Sequence, residues 1–161
     1  MSHWQKSSLE DYLHELAARK PVPGGGSAAA LMGATGVALI TMAARYALGK
    51  GRPRTVENKL KKIVKESERI RKRLLKLVDL DVRAYSRLVK LRQVDAPRKG
   101  KIWREAQKVP REVCQLSYAA VRLTPLLVHQ GSPYLICDVE VALDALGAAF
   151  NAALRTLKSN L

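Results

Sequence analysis

Residues 21–31 read PVPGGGSAAAL, and residues 28–44 continue without a single charge until Arg45. The prolines and glycines stop one helix, and Ser27 stands where a cap for the next is expected. That second helix should run to about Leu48, with Gly49 as its stop. Three consecutive glycines leave a helix entrance bare of side chains, so main-chain N–H groups and the positive end of the helix dipole are open to an anion or a carbonyl. The alanines behind them keep the first turns thin, which lets a flat ligand or another helix come close. No Lys-Ser or Lys-Thr follows, so this is not a phosphate-binding P-loop. Taken alone, a glycine-rich helix start is structural as often as it binds ligand. The uncharged run lies at the lower edge of the roughly 17–25 residues that span a bilayer. Ala, Gly and Thr insert weakly, so a central helix buried by protein is the better reading, with no membrane.

On both sides the pattern stays helical. Ser7 and Ser8 before Glu10 and Asp11 mark a first helix, with Leu9, Tyr12, Leu13 and Leu16 at helical spacing, ending near Arg19. After a loop with Pro53, a third helix opens near Thr55. Its apolar stripe of Leu60, Ile63, Val64, Ile70, Leu74, Leu77 and Val78 persists to about Arg92. The fourth should span about Lys101 to His129, with Pro110 as a kink or break and Pro125 spoiling its last turn. The last begins near Ile136, beyond Gly131-Ser132-Pro133. The expectation is one all-α domain over residues 1–161, a bundle of about five helices around a buried Ala/Gly-rich central helix. Composition agrees: the 161 residues are 47% hydrophobic but only 5% aromatic, which suits packed helices better than sheets.

Lys and Arg number 29 against 14 Asp and Glu, a formal charge of +15. The excess concentrates between Lys50 and Lys76, where 12 Lys/Arg face three Asp/Glu. Such a field draws polyanions, although most charge runs are only solvated faces. The tract has no interleaved aromatics for stacking single strands and no helix-turn-helix pattern. The two cysteines, Cys114 and Cys137, lack zinc-site spacing, so no metal is expected. Two reduced, buried thiols in a cytoplasmic protein are the default.

The segment PVPGGGSAAAL, followed by a small-residue helix, resembles the hallmark of the cyclodeaminase domain of the formiminotransferase-cyclodeaminase family, which also occurs alone as bacterial methenyltetrahydrofolate cyclohydrolase. Similarity continues along the chain in order. Leu48-Gly49-Lys50 resembles the family's Gly-Lys turn, and Asp79 to Tyr85 its acidic segment. Val109-Pro110-Arg111-Glu112-Val113 resembles its mid-helix motif, and Gly131-Ser132-Pro133 followed by Asp138 its G-N-P…S-D loop. The chain departs from the pattern at Ser132, Tyr134 and Glu140, and at Thr156 and Lys158 near the end, where Asn160 is kept.

The resemblance implies an enzyme working on a tetrahydrofolate derivative as substrate, with no tightly bound cofactor. One reaction of the family loses ammonia from a 5-formimino group; the other adds water to a methenyl cation. Both pass through a tetrahedral carbon between two nitrogens and need proton transfer by a carboxylate or His. The candidates are Asp81 and Asp138. Asp138 opens the last helix and is equally well explained as an N-cap; for Asp79 and Asp81 the competing reading is a surface ion pair with Arg83 or Lys76. His14 and His129 are isolated at helix ends and read as solvent-facing; Trp103 and Tyr118 read as packing residues. Substrate binding is expected from Pro23, Gly24, Gly25, Gly26, Ser27, Lys50 and Asn160. The basic tract would take the carboxylates of a folate, possibly polyglutamylated. A rival reading is a non-catalytic protein whose tract binds nucleic acid. The thin second helix argues for a homodimer, as the resemblance also implies.

Overall fold

A computed structural model describes residues 3–90 and 96–159, with the side chains of 90–102 outside the description. Among the described residues six α-helices follow one another: α1 (Leu9–Ala17), α2 (Gly25–Ala47), α3 (Arg54–Lys90), α4 (Ala96–Val121), α5 (Thr124–Gln130) and α6 (Ile136–Ser159). Single 3-10 turns, Trp4–Lys6 and Pro133–Leu135, precede α1 and α6. No strand occurs among the described residues, so the all-α expectation holds.

The Ala/Gly-rich α2 is the axis, packed chiefly between α3 and α6, with α4 closing the bundle. Its small residues set that geometry. A Cβ on Gly36 would stand 2.9 Å from the Ala142 carbonyl oxygen, and one on Gly33 3.4 Å from both Leu74 methyls. Helices meet at backbone distance there, and larger side chains from the partners fill the remaining space. Ile40, Leu60, Ile70, Leu74, Leu77, Leu127 and Leu146 are fully buried, each contributing about 1.5–3 kcal/mol of burial. By length and composition α2 could cross a membrane, but 61% of its most apolar window is buried inside the bundle.

Four expectations need correction. Gly24, not Ser27, occupies the N-cap of α2, and Ser27 lies inside the first turn. The fourth helix runs through Pro110 without interruption and breaks later, around Leu123, because Pro125 fits the first turn of the short α5. Cys137 and Tyr118 are exposed rather than packed; Cys114 is buried.

Candidate active site

The glycine turn and the C-terminal half of α3 meet at one pole of the bundle. The first N–H groups of a helix have no carbonyl partner within it. At α2 the Ser27 N–H turns to the carboxylate of Asp81, whose side chain reaches across from α3. The approach is so close that a Cβ on Gly26 would stand 2.6 Å from Asp81 Cγ. Gly26 is glycine because the carboxylate occupies the space beside it. Gly25 meets nothing within 4 Å, and Gly24 only the Pro21 carbonyl oxygen at 3.9 Å. The middle of the turn is therefore open.

Burial pushes the Asp81 carboxyl up to about 6, against the smaller opposing pull of the Ser27 N–H. Behind it the Ser27 hydroxyl and the Tyr12 phenol share a buried hydrogen bond of 3.1 Å. Burial also raises the Tyr12 phenol, so this neighbour stays neutral. In front lies a cavity of about 310 Å³ walled by Pro21, Val22, the three glycines, Ala84, Tyr85, Ala106, Thr156 and Ser159. A second hollow of about 350 Å³ between α3 and α4 shares Ala84 and Ala106 with it. Arg83, Arg87 and Lys108 line that groove, and its far end is held by two hydrogen bonds from Arg73 to Glu112, 2.7 and 2.8 Å.

Gly24, Gly25, Gly26, Ser27 and Asp81 thus come together as one site. Pro23 is buried beside the turn, behind a cis peptide bond from Val22. Asp138 and Lys50 lie elsewhere. The cavity touches Thr156 and Ser159 at the end of α6, while Asp138 sits in its first turn. The 18 residues from Asp138 to Thr156 are about 27 Å of helix. Lys50 is exposed beyond the far end of α2, where Arg52 donates to the Ala47 and Gly131 carbonyl oxygens at 2.7 and 3.1 Å. Within one chain neither reaches the glycine turn. Asp138 is the third residue of α6, so it is not the N-cap; its charge still favours the helix start. Asn160 lies outside the described residues.

Neither Asp79 nor Asp81 forms the surface pair with Arg83 or Lys76. Asp79 is 3% exposed and accepts the Trp4 N–H at 2.7 Å, with His3 Nδ1 3.6 Å from its other oxygen. It pins the N-terminal turn over α3, and Trp4 packs edge-on against Tyr12 with centroids 6.0 Å apart. The cavity walls Ala106 and Ser159 escaped the sequence reading; Ala84 and Tyr85 were noted only within the acidic segment, and Thr156 only as a departure from pattern. Among the described residues no group of three or more His, Cys, Asp or Glu could hold a metal.

Known proteins resemble this chain in sequence and in overall fold. The family described as formiminotransferase-cyclodeaminase matches residues 8–161. A methenyltetrahydrofolate cyclohydrolase of Methylorubrum extorquens is 32% identical over 156 residues, covering 91% of this chain and 75% of that protein. The formimidoyltransferase-cyclodeaminase of Mus musculus is 28% identical over 162 residues, which is 90% of this chain but 30% of the mouse protein. The crystal structure of formiminotetrahydrofolate cyclodeaminase from Thermotoga maritima superimposes with a TM-score of 0.93 at 27% identity, covering 98% of this chain and 79% of that one.

Proposed function

This chain belongs to the formiminotransferase-cyclodeaminase family, and on that premise we propose that it is a tetrahydrofolate one-carbon enzyme, a methenyltetrahydrofolate cyclohydrolase or formiminotetrahydrofolate cyclodeaminase, working at Asp81. One observation carries the reading. A carboxyl group titrating at about 6 sits beside an open main-chain turn in a cavity of about 310 Å³.

The chemistry follows from that placement. In the cyclohydrolase direction water adds to the methenyl carbon between two nitrogens. Ionised Asp81 takes one water proton as the C–O bond forms and returns it to the nitrogen that departs as a C–N bond breaks; the remaining hydroxyl proton passes to Asp81 and on to solvent as the formyl C=O forms. In the deaminase direction the exocyclic N10 amine adds to the formimino carbon, and its proton moves through Asp81 to the nitrogen leaving as ammonia. Both cycles need one group that accepts and then donates near neutral pH, which a carboxyl at its ordinary 3.8 does poorly. The carboxylate also stabilises the cationic bridge electrostatically. The N–H groups of Gly25 and Gly26, beyond reach of any helix carbonyl, supply main-chain donors to a polar edge of the substrate. Arg83, Arg87 and Lys108 in the adjoining groove receive its carboxylate tail. The tract at Lys50–Lys76 is not used for this, because Lys50 is at the other pole and the exposed Lys61, Lys65, Lys72 and Lys76 face away from Asp81.

We further propose a homodimer along α2, whose Leu31, Thr35, Ala38, Met42 and Tyr46 form one outward line, Tyr46 being 60% exposed. Asp138 and Lys50 reach the glycine turn only from a second copy packed antiparallel on that line. The enzyme reading is tested by the absorbance of 5,10-methenyltetrahydrofolate. The wild type should speed its loss over buffer, with kcat/KM rising through pH about 6 as Asp81 ionises. Asp81→Asn should lose roughly 10²–10⁴-fold. A wild-type rate equal to buffer, with both the methenyl and the formimino substrate, overturns the reading.

A further inference from the structure

From Arg54 to Lys76 every exposed position of α3 is Lys, Arg, Thr or Asn. The three acids of that stretch are half-buried and already engaged. Glu57 accepts the Gly49 N–H at 3.0 Å, Glu66 pairs with Arg69 at 2.6 Å, and Glu68 with Arg45 at 3.0 Å and Arg71 at 2.8 Å. At 3.6 residues per turn, Arg54, Lys61, Lys65, Arg69, Lys72 and Lys76 all fall within about 40° of a single line down the helix. All six are exposed; Arg69 pairs with Glu66 and Lys72 lies in the field of Glu68, while Arg54, Lys61, Lys65 and Lys76 form no ion pair among the described residues. The row extends about 33 Å at 1.5 Å per residue. Asp81 projects from nearly the opposite side of α3, so row and cavity are separate surfaces.

We propose that this row is a docking surface for the phosphate backbone of double-stranded DNA, independent of the folate reading and without base readout. Duplex DNA carries one negative charge per roughly 1.7 Å of axis, so the row faces about one helical turn. A helix fits the B-form major groove, about 12 Å wide, where cations on one line reach phosphates of both strands. The face has no aromatic to stack an unpaired base and no exposed apolar side chain to enter a lipid surface. It offers only Thr55 and Asn58 for the hydroxyl contacts by which duplex RNA is held.

The test is fluorescence anisotropy of a labelled 24-base-pair duplex of arbitrary sequence, from 50 to 200 mM salt, with the full chain. Four unpaired cations on phosphates give a slope of log affinity on log salt near −3.6, a loss of about 150-fold over that range, and somewhat more if Lys72 exchanges Glu68 for a phosphate. The Lys61→Gln, Lys65→Gln, Lys72→Gln, Lys76→Gln variant should flatten the slope by about 3 to 4. Removing the same charge elsewhere, with Arg19, Arg111, Arg122 and Arg155 changed to Gln, should leave it nearly intact. Circular dichroism melts establish that both variants fold, since every substituted side chain is exposed. Equal slopes for the two variants would show net charge alone at work and overturn the proposal. So would absence of binding at 50 mM salt, tighter retention on vesicles rich in phosphatidylglycerol, or preference for duplex RNA.

Discussion

Replacing Asp81 with Asn should remove activity and at the same time stabilise the protein, and the gain should depend on pH. The carboxyl moves from 3.8 to about 6 on folding, with burial as the main cause. Between those values the folded protein binds more protons than the unfolded chain, so stability falls as pH rises. Below the lower value both states are protonated and nothing is lost. Above about 6 the loss is complete, and 2.2 units at 1.36 kcal/mol each amount to about 3 kcal/mol. At pH 4.5 the same arithmetic leaves only about 1 kcal/mol. Asn has nearly the same shape, still accepts the Ser27 N–H, and carries no charge to desolvate. The variant should therefore exceed the wild type by up to about 3 kcal/mol at pH 7.5, an increase of about 6–10 °C in Tm for a chain of this size. Calorimetry of both proteins at pH 4.5, 6 and 7.5 gives the answer. A variant less stable than wild type at pH 7.5, or a difference that does not change with pH, would refute a desolvated Asp81.

Two further outcomes follow from the same geometry. Gly26→Ala puts a methyl into the carboxylate and forces Asp81 off the turn, costing about 1–3 kcal/mol of packing that helix propensity offsets by about 1 kcal/mol. Its kcat should fall at least about 100-fold, whereas Gly25→Ala, with nothing within 4 Å, should fold normally and raise KM. Comparable kcat for the two would remove the special role of Gly26. If Asp138 serves the site of a partner subunit, a mixture of Asp81→Asn and Asp138→Asn proteins should recover up to about a quarter of wild-type activity, since one site in each mixed dimer is intact. Elution of the wild type as a monomer, or no recovery in a mixture exchanged by mild denaturant, rules out the shared site.

Helix content, the buried central helix and the glycine turn were legible in the sequence because they rest on local rules: small residues without charge, Pro and Gly as stops, and apolar spacing of three and four. Even the burial of Asp81 has a local signature. Leu60, Ile63, Ser67, Ile70, Leu74 and Leu77 are buried at alternating spacings of three and four, and the next position in that series is 81. The folded bundle alone revealed which partner that position meets. Asp79 and Asp138 look equivalent to Asp81 by residue type, yet one pins Trp4 and the other lies about 27 Å of helix from the cavity. Likewise the charge count between Lys50 and Lys76 was readable, but not that its three acids are turned aside and paired, leaving one cationic line. Periodicity fixes the face a residue occupies on its own helix. What stands opposite that face depends on how α2, α3 and α6 cross, and those crossings are set by contacts between residues far apart in the chain.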